Sequence, residues 1–215
     1  MYNIITSVGR LHNISIIKNH IEPLGVKWHV ITDEKLGFGL KFIEPWISSY
    51  VCPNDQNDHN EFWARCHATL NWFIETQEIH DDEMYCFMND DDGYEPDFFT
   101  NVTDVISKAK STYNVDIDVI AVSMKRGYAT PGDAGPGRTH DITTLIAHPD
   151  NMRIGGVGLE QIIVRGRILK NYRLVMHVCG DGMFIEQIAQ ENTVTYAPDI
   201  YALFNYFEPG RWNKE

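Results

Sequence analysis

The sequence predicts an α/β fold: a mainly parallel central sheet flanked by helices, built as a single domain over residues 1–215. Three observations carry this reading. Strand-like apolar runs alternate with stretches of helical periodicity. The first strand–helix–strand unit takes about 30 residues, the spacing of a parallel crossover. The run Met84–Met88 (MYCFM) is apolar without alternation, as in a strand buried on both faces.

Asn3–Ser7 (NIITS) reads as a short buried strand ended by Gly9. His12–Ile21 reads as a helix closed by Pro23 and Gly25. Lys27–Thr32 (KWHVIT) is a second strand ending at Asp33, and Phe42–Val51 is an extended segment broken by Pro45. After a polar loop at Asn54–Asn60, Glu61–Glu75 has helical periodicity, with Phe62, Cys66, Leu70 and Phe73 on one face. The strand Met84–Met88 runs straight into three aspartates. Phe98–Ala109 reads as a helix and Val115–Met124 as a strand. Gly127–Thr139, rich in Gly and Pro, reads as a long loop with Lys125, Arg126 and Arg138 near its ends, placed to close over a bound ligand or merely to connect. Ile154–Leu169 begins glycine-rich and turns apolar, and Gly182–Ala189 is a short helix. The tail from Tyr196 is aromatic, with Tyr201, Phe204, Tyr206, Phe207 and Trp212. It either stacks on a bound ligand or covers a core edge.

A chain of 215 residues that is 43% hydrophobic can bury a substantial core. It suits one large α/β domain or one domain with an extension. The net charge of -12 and pI near 5.1 argue against nucleic acid as a principal partner, because phosphate binding needs a basic footprint. A divalent cation lets an acidic protein hold a nucleotide diphosphate all the same. Cys52, Cys66, Cys86 and Cys179 have neither zinc-knuckle nor redox-pair spacing. Reduced thiols in a cytoplasmic protein are the reading they favour. MYNIITSVGR has no signal-peptide pattern, and no window approaches the ~20 apolar residues that span a bilayer, so direct membrane insertion is not expected. The chain reads as a complete enzyme or as the catalytic part of a longer polypeptide.

Asp90, Asp91 and Asp92 are consecutive, between Asn89 and Gly93. Adjacent carboxylates repel one another unless a cation or solvent relieves them. In an extended segment residues i and i+2 project to the same side, so Asp90 and Asp92 are expected to converge on one ion while Asp91 points away. Hard oxygen ligands suit Mg²⁺ or Mn²⁺, which keep open positions for substrate phosphates. The bland alternative is a solvated acidic turn. The apolar strand before the cluster weighs against it, and the ligand spacing of a calcium loop is missing.

The run Tyr85-Cys86-Phe87-Met88-Asn89-Asp90-Asp91-Asp92-Gly93-Tyr94-Glu95-Pro96-Asp97-Phe98-Phe99 resembles the metal-binding segment of GT-A glycosyltransferases, in which an apolar strand leads into Asp-x-Asp, then Pro and an aromatic helix start. Other segments follow in the family's order. Thr6-Ser7-Val8-Gly9-Arg10 resembles the first strand and turn, which contact the nucleoside. Asp33 sits where the family often places a carboxylate on the base. Arg65 and Asn71 lie on the helix that faces the diphosphate and sugar. Gly155-Gly156-Val157-Gly158 resembles the segment near donor sugar and acceptor, and Gly180-Asp181-Gly182 the acidic motif that supplies the base of inverting members. The compact size also resembles the glycosyltransferase domain of large algal viruses, which implies a location in the host cytoplasm. Two departures stand out. Asn89 leaves the register open between 90/92 and 89/91, of which 90/92 supplies two carboxylates on one side. No His follows His177, so His177, His148, water or a diphosphate oxygen fills the position where many members have a further His ligand.

Each site residue also has a plainer role. Asp181 can be an N-cap, Arg65 a partner of Glu61, Asp33 a turn residue, Thr6 and Ser7 small strand-end residues, and His67 a helix-surface or packing residue. Gly155 and Gly156 can simply supply positive φ.

The resemblance implies a metal-dependent hexosyltransferase that moves a sugar from a UDP-sugar donor to a hydroxyl of a glycan or glycoprotein acceptor. Mn²⁺ or Mg²⁺ would be held by Asp90 and Asp92, Arg10, Asp90 and Asp91 would be among the residues that contact the donor, and Asp181 would act as base or would position the donor. The rivals are a nucleotidyltransferase acting on a sugar phosphate, for which Gly9-Arg10 is a poor phosphate loop, and a non-catalytic carbohydrate-binding module. The helical periodicity at 61–75 opposes the latter.

Overall fold

The computed structural model describes residues 1–34, 40–53, 61–126, 143–155 and 157–204, without the side chains of Phe62, Arg126 and Thr143. Strands Tyr2–Ser7 (β1), Lys27–Asp33 (β2), Ile47–Cys52 (β3) and Met84–Phe87 (β4) pair in parallel in the order β3-β2-β1-β4. Neighbouring residues on these strands are buried whichever way they point: Ile4 and Ile5, Val30 and Ile31, Tyr85 and Cys86. Both faces of the sheet must therefore be covered. Helices α1 (Ile14–Ile21) and α3 (Phe98–Tyr113) pack on the face of Ile4, Val30 and Cys86. Helices α2 (Phe62–Thr76) and α5 (Gly180–Glu191) pack on the face of Ile5, Ile31 and Tyr85.

Beyond β4 the order continues through β8 (Ile162–Arg165), β6 (Val119–Arg126), β9 (Val194–Phe204) and β5 (Gly93–Tyr94), with β7 (Thr143–Leu145) paired to β6; the short helix α4 (Gly166–Leu169) follows β8. Here the expected mainly parallel sheet is corrected. Four pairings are parallel, β1 with β2 and β4, β2 with β3, and β6 with β9. Four are antiparallel, β4 and β6 each with β8, β5 with β9, and β6 with β7. The reversal comes from β8, which enters between β4 and β6 from a 3-10 turn at Leu159–Gln161. The fold is thus α/β with a mixed sheet.

Element boundaries also moved. The strand expected from Val115 begins at Val119, because Asn114 ends α3 in the left-handed conformation (φ 53°), donating to the carbonyls of Ala109 and Lys110. Strand β9 and its short partner β5 were not anticipated. β9 pairs with β6 across a register shift between Val122 and Ser123, where the Ser123 hydroxyl donates to Pro198 O at 2.8 Å. The Gly127–Thr139 loop with Arg138, the Asn54–Asn60 stretch, Gly156, and Tyr206, Phe207 and Trp212 lie outside the described residues.

This topology sets the location of a site. From β1 the chain steps outward through β2 to β3, then returns to place β4 on the other side of β1. The carboxyl ends of β1 and β4 flank that change of direction, which is where open α/β sheets leave a crevice.

His29 on β2 links the strands with its ring nitrogens. Nε2 lies 3.0 Å from Asn3 Oδ1 and Nδ1 3.3 Å from the Tyr50 hydroxyl, while the ring packs 5.2 Å from Phe73. Burial, aided by the charge of Lys27, lowers its pKa to about 4. The unfolded chain therefore binds a proton on this group below about pH 6.5 that the folded chain refuses until about pH 4. Its contribution is present above pH 6.5 and is lost as pH falls through that window. Denaturant titrations at pH 7.5 and 4.5 are expected to show a pH-dependent loss that is smaller by roughly 2 kcal/mol in His29→Gln.

Candidate functional site

β4 ends at Phe87, and the next residues turn sharply. The Asp92 amide donates to Asn89 O at 3.2 Å, and the Asn89 side-chain amide donates to Asp92 Oδ2 at 2.8 Å. The segment is a turn and not an extended strand, so the two-residue side-chain period does not apply. Asp90 and Asp91, at its tip, face a cavity of about 250 Å³, whereas Asp92 is fully buried at 0% exposure and is not among the residues that line it. This corrects the expectation that Asp90 and Asp92 share a side and Asp91 points away.

The three carboxylates have different surroundings. Asp90 Oδ2 accepts from the backbone amides of Gly9, at 2.7 Å, and Arg10. Its Oδ1 accepts from Arg10 Nη1 at 2.7 Å, and Asn13 Nδ2 donates to its carbonyl at 2.8 Å. The same Nη1 lies 2.8 Å from Asp91 Oδ2. The loop after β1 is thereby fastened to the turn after β4, and one guanidinium bridges two carboxylates.

Polar and aromatic cavity-facing residues include Ser7 and Arg10 after β1, Trp63, Cys66 and His67 on α2, Asn89, Asp90 and Asp91 in the turn, and Asp181 on α5, with Leu70, Leu159, Val178 and Phe204 completing the lining. Burial raises the Cys66 thiol to about 11, so it is no nucleophile at neutral pH. Burial pushes the His67 imidazole below its ordinary value, partly offset by the Asp181 carboxylate and the Val175 carbonyl. His67 is the cavity residue that the sequence reading gave only a surface or packing role. Its place three residues before Leu70, on the apolar face of α2, was the available signal.

The other expected site residues are distributed as follows. Asp33, at the end of β2, pairs with Arg65 (Oδ2 to Nε, 3.1 Å), and both line a small recess beside Ser7 and Cys66. Thr6 is buried and accepts from the Trp28 indole at 2.9 Å, outside the cavity lining. Asn71 clamps Leu174 with both ends of its amide, each at 2.8 Å, and is likewise outside the lining. Gly155 adopts φ +77°, as a positive-φ glycine, and is exposed. Gly156 lies outside the described residues. Asp181 is in the first turn of α5, whose N-cap is Cys179; the N-cap role considered for Asp181 is corrected accordingly. It still gains from the helix dipole. His148 and His177 use Nδ1 to accept from Asp150 N and Cys179 N two residues on, and neither lines the cavity.

Among the described residues no three His, Cys, Asp or Glu side chains converge as a metal cage. A hard ion such as Mg²⁺ commonly takes one or two carboxylates and completes its shell with water and substrate phosphates. Asp90 and Asp91 are donors of that kind, and the position beside them already holds positive charge in Arg10. The residues fit a divalent ion that competes with Arg10 for the same oxygens. Among the described residues, no helix is long and apolar enough to cross a membrane. All four cysteines are thiols.

In comparisons with known proteins, no family model and no curated protein matches the chain.

Two consequences can be measured. Asp90→Ala leaves two backbone amides and a guanidinium without their acceptor and is expected to cost about 2–3 kcal/mol in denaturant unfolding, with Asp91→Ala costing less than half of that. At Gly180 a Cβ would stand 2.1 Å from Val175 O and 2.8 Å from the His67 ring. Gly180→Ala is expected to lower stability by about 1–3 kcal/mol, because a backbone carbonyl cannot yield as a side chain can.

Proposed function

We propose that the chain is a metal-dependent glycosyltransferase of GT-A type, a single catalytic domain that moves a hexosyl group from a UDP-sugar to a hydroxyl of a glycan or glycoprotein. The observation that carries this reading is the pair Asp90 and Asp91, bridged by Arg10, in a cavity at the point where the strand order changes direction. The resemblance of residues 84–99 to the Asp-x-Asp segment agrees with it. The thiol state of the cysteines is in keeping with a cytoplasmic location.

In this reading Asp91, with Asp90, holds Mn²⁺ or Mg²⁺. Asp92 serves only if the Asn89–Asp92 turn opens. The ion, when bound, offsets the charge that develops on the departing diphosphate. Arg10, released from Asp91, pairs with a diphosphate oxygen. Ser7 and the Asp33–Arg65 recess lie toward the nucleoside. Asp181, half-buried on the far wall, accepts the acceptor's proton if configuration inverts, or holds the donor sugar if it is retained.

Calorimetric titration of UDP with and without Mn²⁺ tests this. Mn²⁺ is expected to tighten UDP binding at least about tenfold in wild type. The gain is expected to vanish in Asp91→Asn, and to persist in Asp92→Asn unless the turn opens. Asp91→Asn is preferred to an Asp90 variant because Asp90 also holds the fold together. Equal binding of UDP with and without the ion, or no binding, overturns the reading.

A further inference from the structure

We infer that Trp63, His67 and Asp181 form a saccharide subsite at the α2–α5 end of the cavity. The inference rests on the donor-site reading above and adds which ligand chemistry this end accepts. Trp63 and His67 are one turn apart on α2, their rings 5.9 Å apart and inclined at 60°. His67 Nδ1 lies 3.2 Å from the carbonyl oxygen of Val175. A carbonyl only accepts, so Nδ1 carries the ring proton. The neutral ring then has a lone pair at Nε2, and no described residue bonds that nitrogen. The seat for the ring exists because residue 180 is glycine: a Cβ there would come within 2.8 Å of the imidazole. The next residue, Asp181, brings a carboxylate to the same wall, close enough to influence the imidazole.

The wall thus combines an aromatic face, an imidazole acceptor and a carboxylate acceptor, with Leu70 and Val178 as apolar neighbours. Two acceptors side by side repel an anion and attract hydroxyl donors. The cation that suits phosphate, Arg10, stands at Asp90 and Asp91 and not beside these two acceptors. A ligand with many hydroxyl groups and an apolar C–H face matches this wall, and a hexose has both. The fixed tautomer makes His67 Nε2 an acceptor for one sugar hydroxyl.

The test compares the affinity of UDP with those of UDP-glucose, UDP-galactose and UDP-N-acetylglucosamine in saturating Mn²⁺, by calorimetry. The proteins are wild type, His67→Asn, His67→Gln and Trp63→Ala, each checked for folding by thermal unfolding. The Asn amide nitrogen stands near Nδ1 and can still serve Val175, whereas the Gln amide stands near Nε2. In wild type at least one UDP-sugar is expected to bind more tightly than UDP. That excess is expected to fall about fivefold or more in His67→Asn and Trp63→Ala and to be largely kept in His67→Gln, with UDP affinity unchanged throughout. Retention in Asn with loss in Gln makes His67 a clamp on Val175 and overturns the subsite. No UDP-sugar exceeding UDP overturns the subsite but leaves metal-dependent UDP binding intact. Absence of UDP binding removes the donor site and the subsite together.

Discussion

The Asp90 carboxylate is the tie on which the arrangement depends. It is 1% exposed, yet it accepts two backbone amides and a guanidinium from the loop after β1. A buried carboxylate is tolerated only when its lone pairs are used and its charge is met. Parallel strands β1 and β4 are held by their ladder up to Ile5 and Phe87; beyond that point Asp90 continues the joint. The position of Arg10, and through it the electrostatics of the cavity, is set by that side chain together with Asp91.

A second joint fixes the opposite wall. Asn71 holds Leu174 by both its N–H and its C=O, and His67 holds Val175. The segment before α5 is thus pinned to α2 at two adjacent residues. This pinning sets where Asp181 stands relative to the aspartate turn. The cavity is therefore formed between two rigid seams, one between strands and one between helices, with the sheet beneath both.

The first half of the fold is legible in the sequence because its signals are local. Short stretches rich in apolar and β-branched residues mark β1 and β2, an unbroken apolar run marks β4, and the 3.6-residue period marks α2. The second half is less so. β8 is an ordinary apolar run whose direction depends on the turn at Leu159–Gln161, which no pattern in the strand itself encodes. β9 is obscured by Pro198–Asp199, which reads as a break but sits at the register shift opposite β6. At the candidate site, the aspartates and Asp181 stand out as residue types. The orientation within the triplet does not, because the hydrogen bonds of Asn89 make a turn where strand geometry was extrapolated. His67 is hidden for a similar reason: its partner, Val175, is over a hundred residues away in sequence.

The guanidinium shared by Asp90 and Asp91 has a consequence for selectivity. A cation that arrives alone finds these two carboxylates already half-neutralised by one guanidinium and must compete with Arg10 for their oxygens. An anion that arrives alone must draw Arg10 away from two carboxylates and leave them facing each other. Each event is uphill by itself, and each removes the obstacle to the other. If the proposed reading holds, the trio would act as a coincidence detector, favouring a cation and an anion presented together over either one singly.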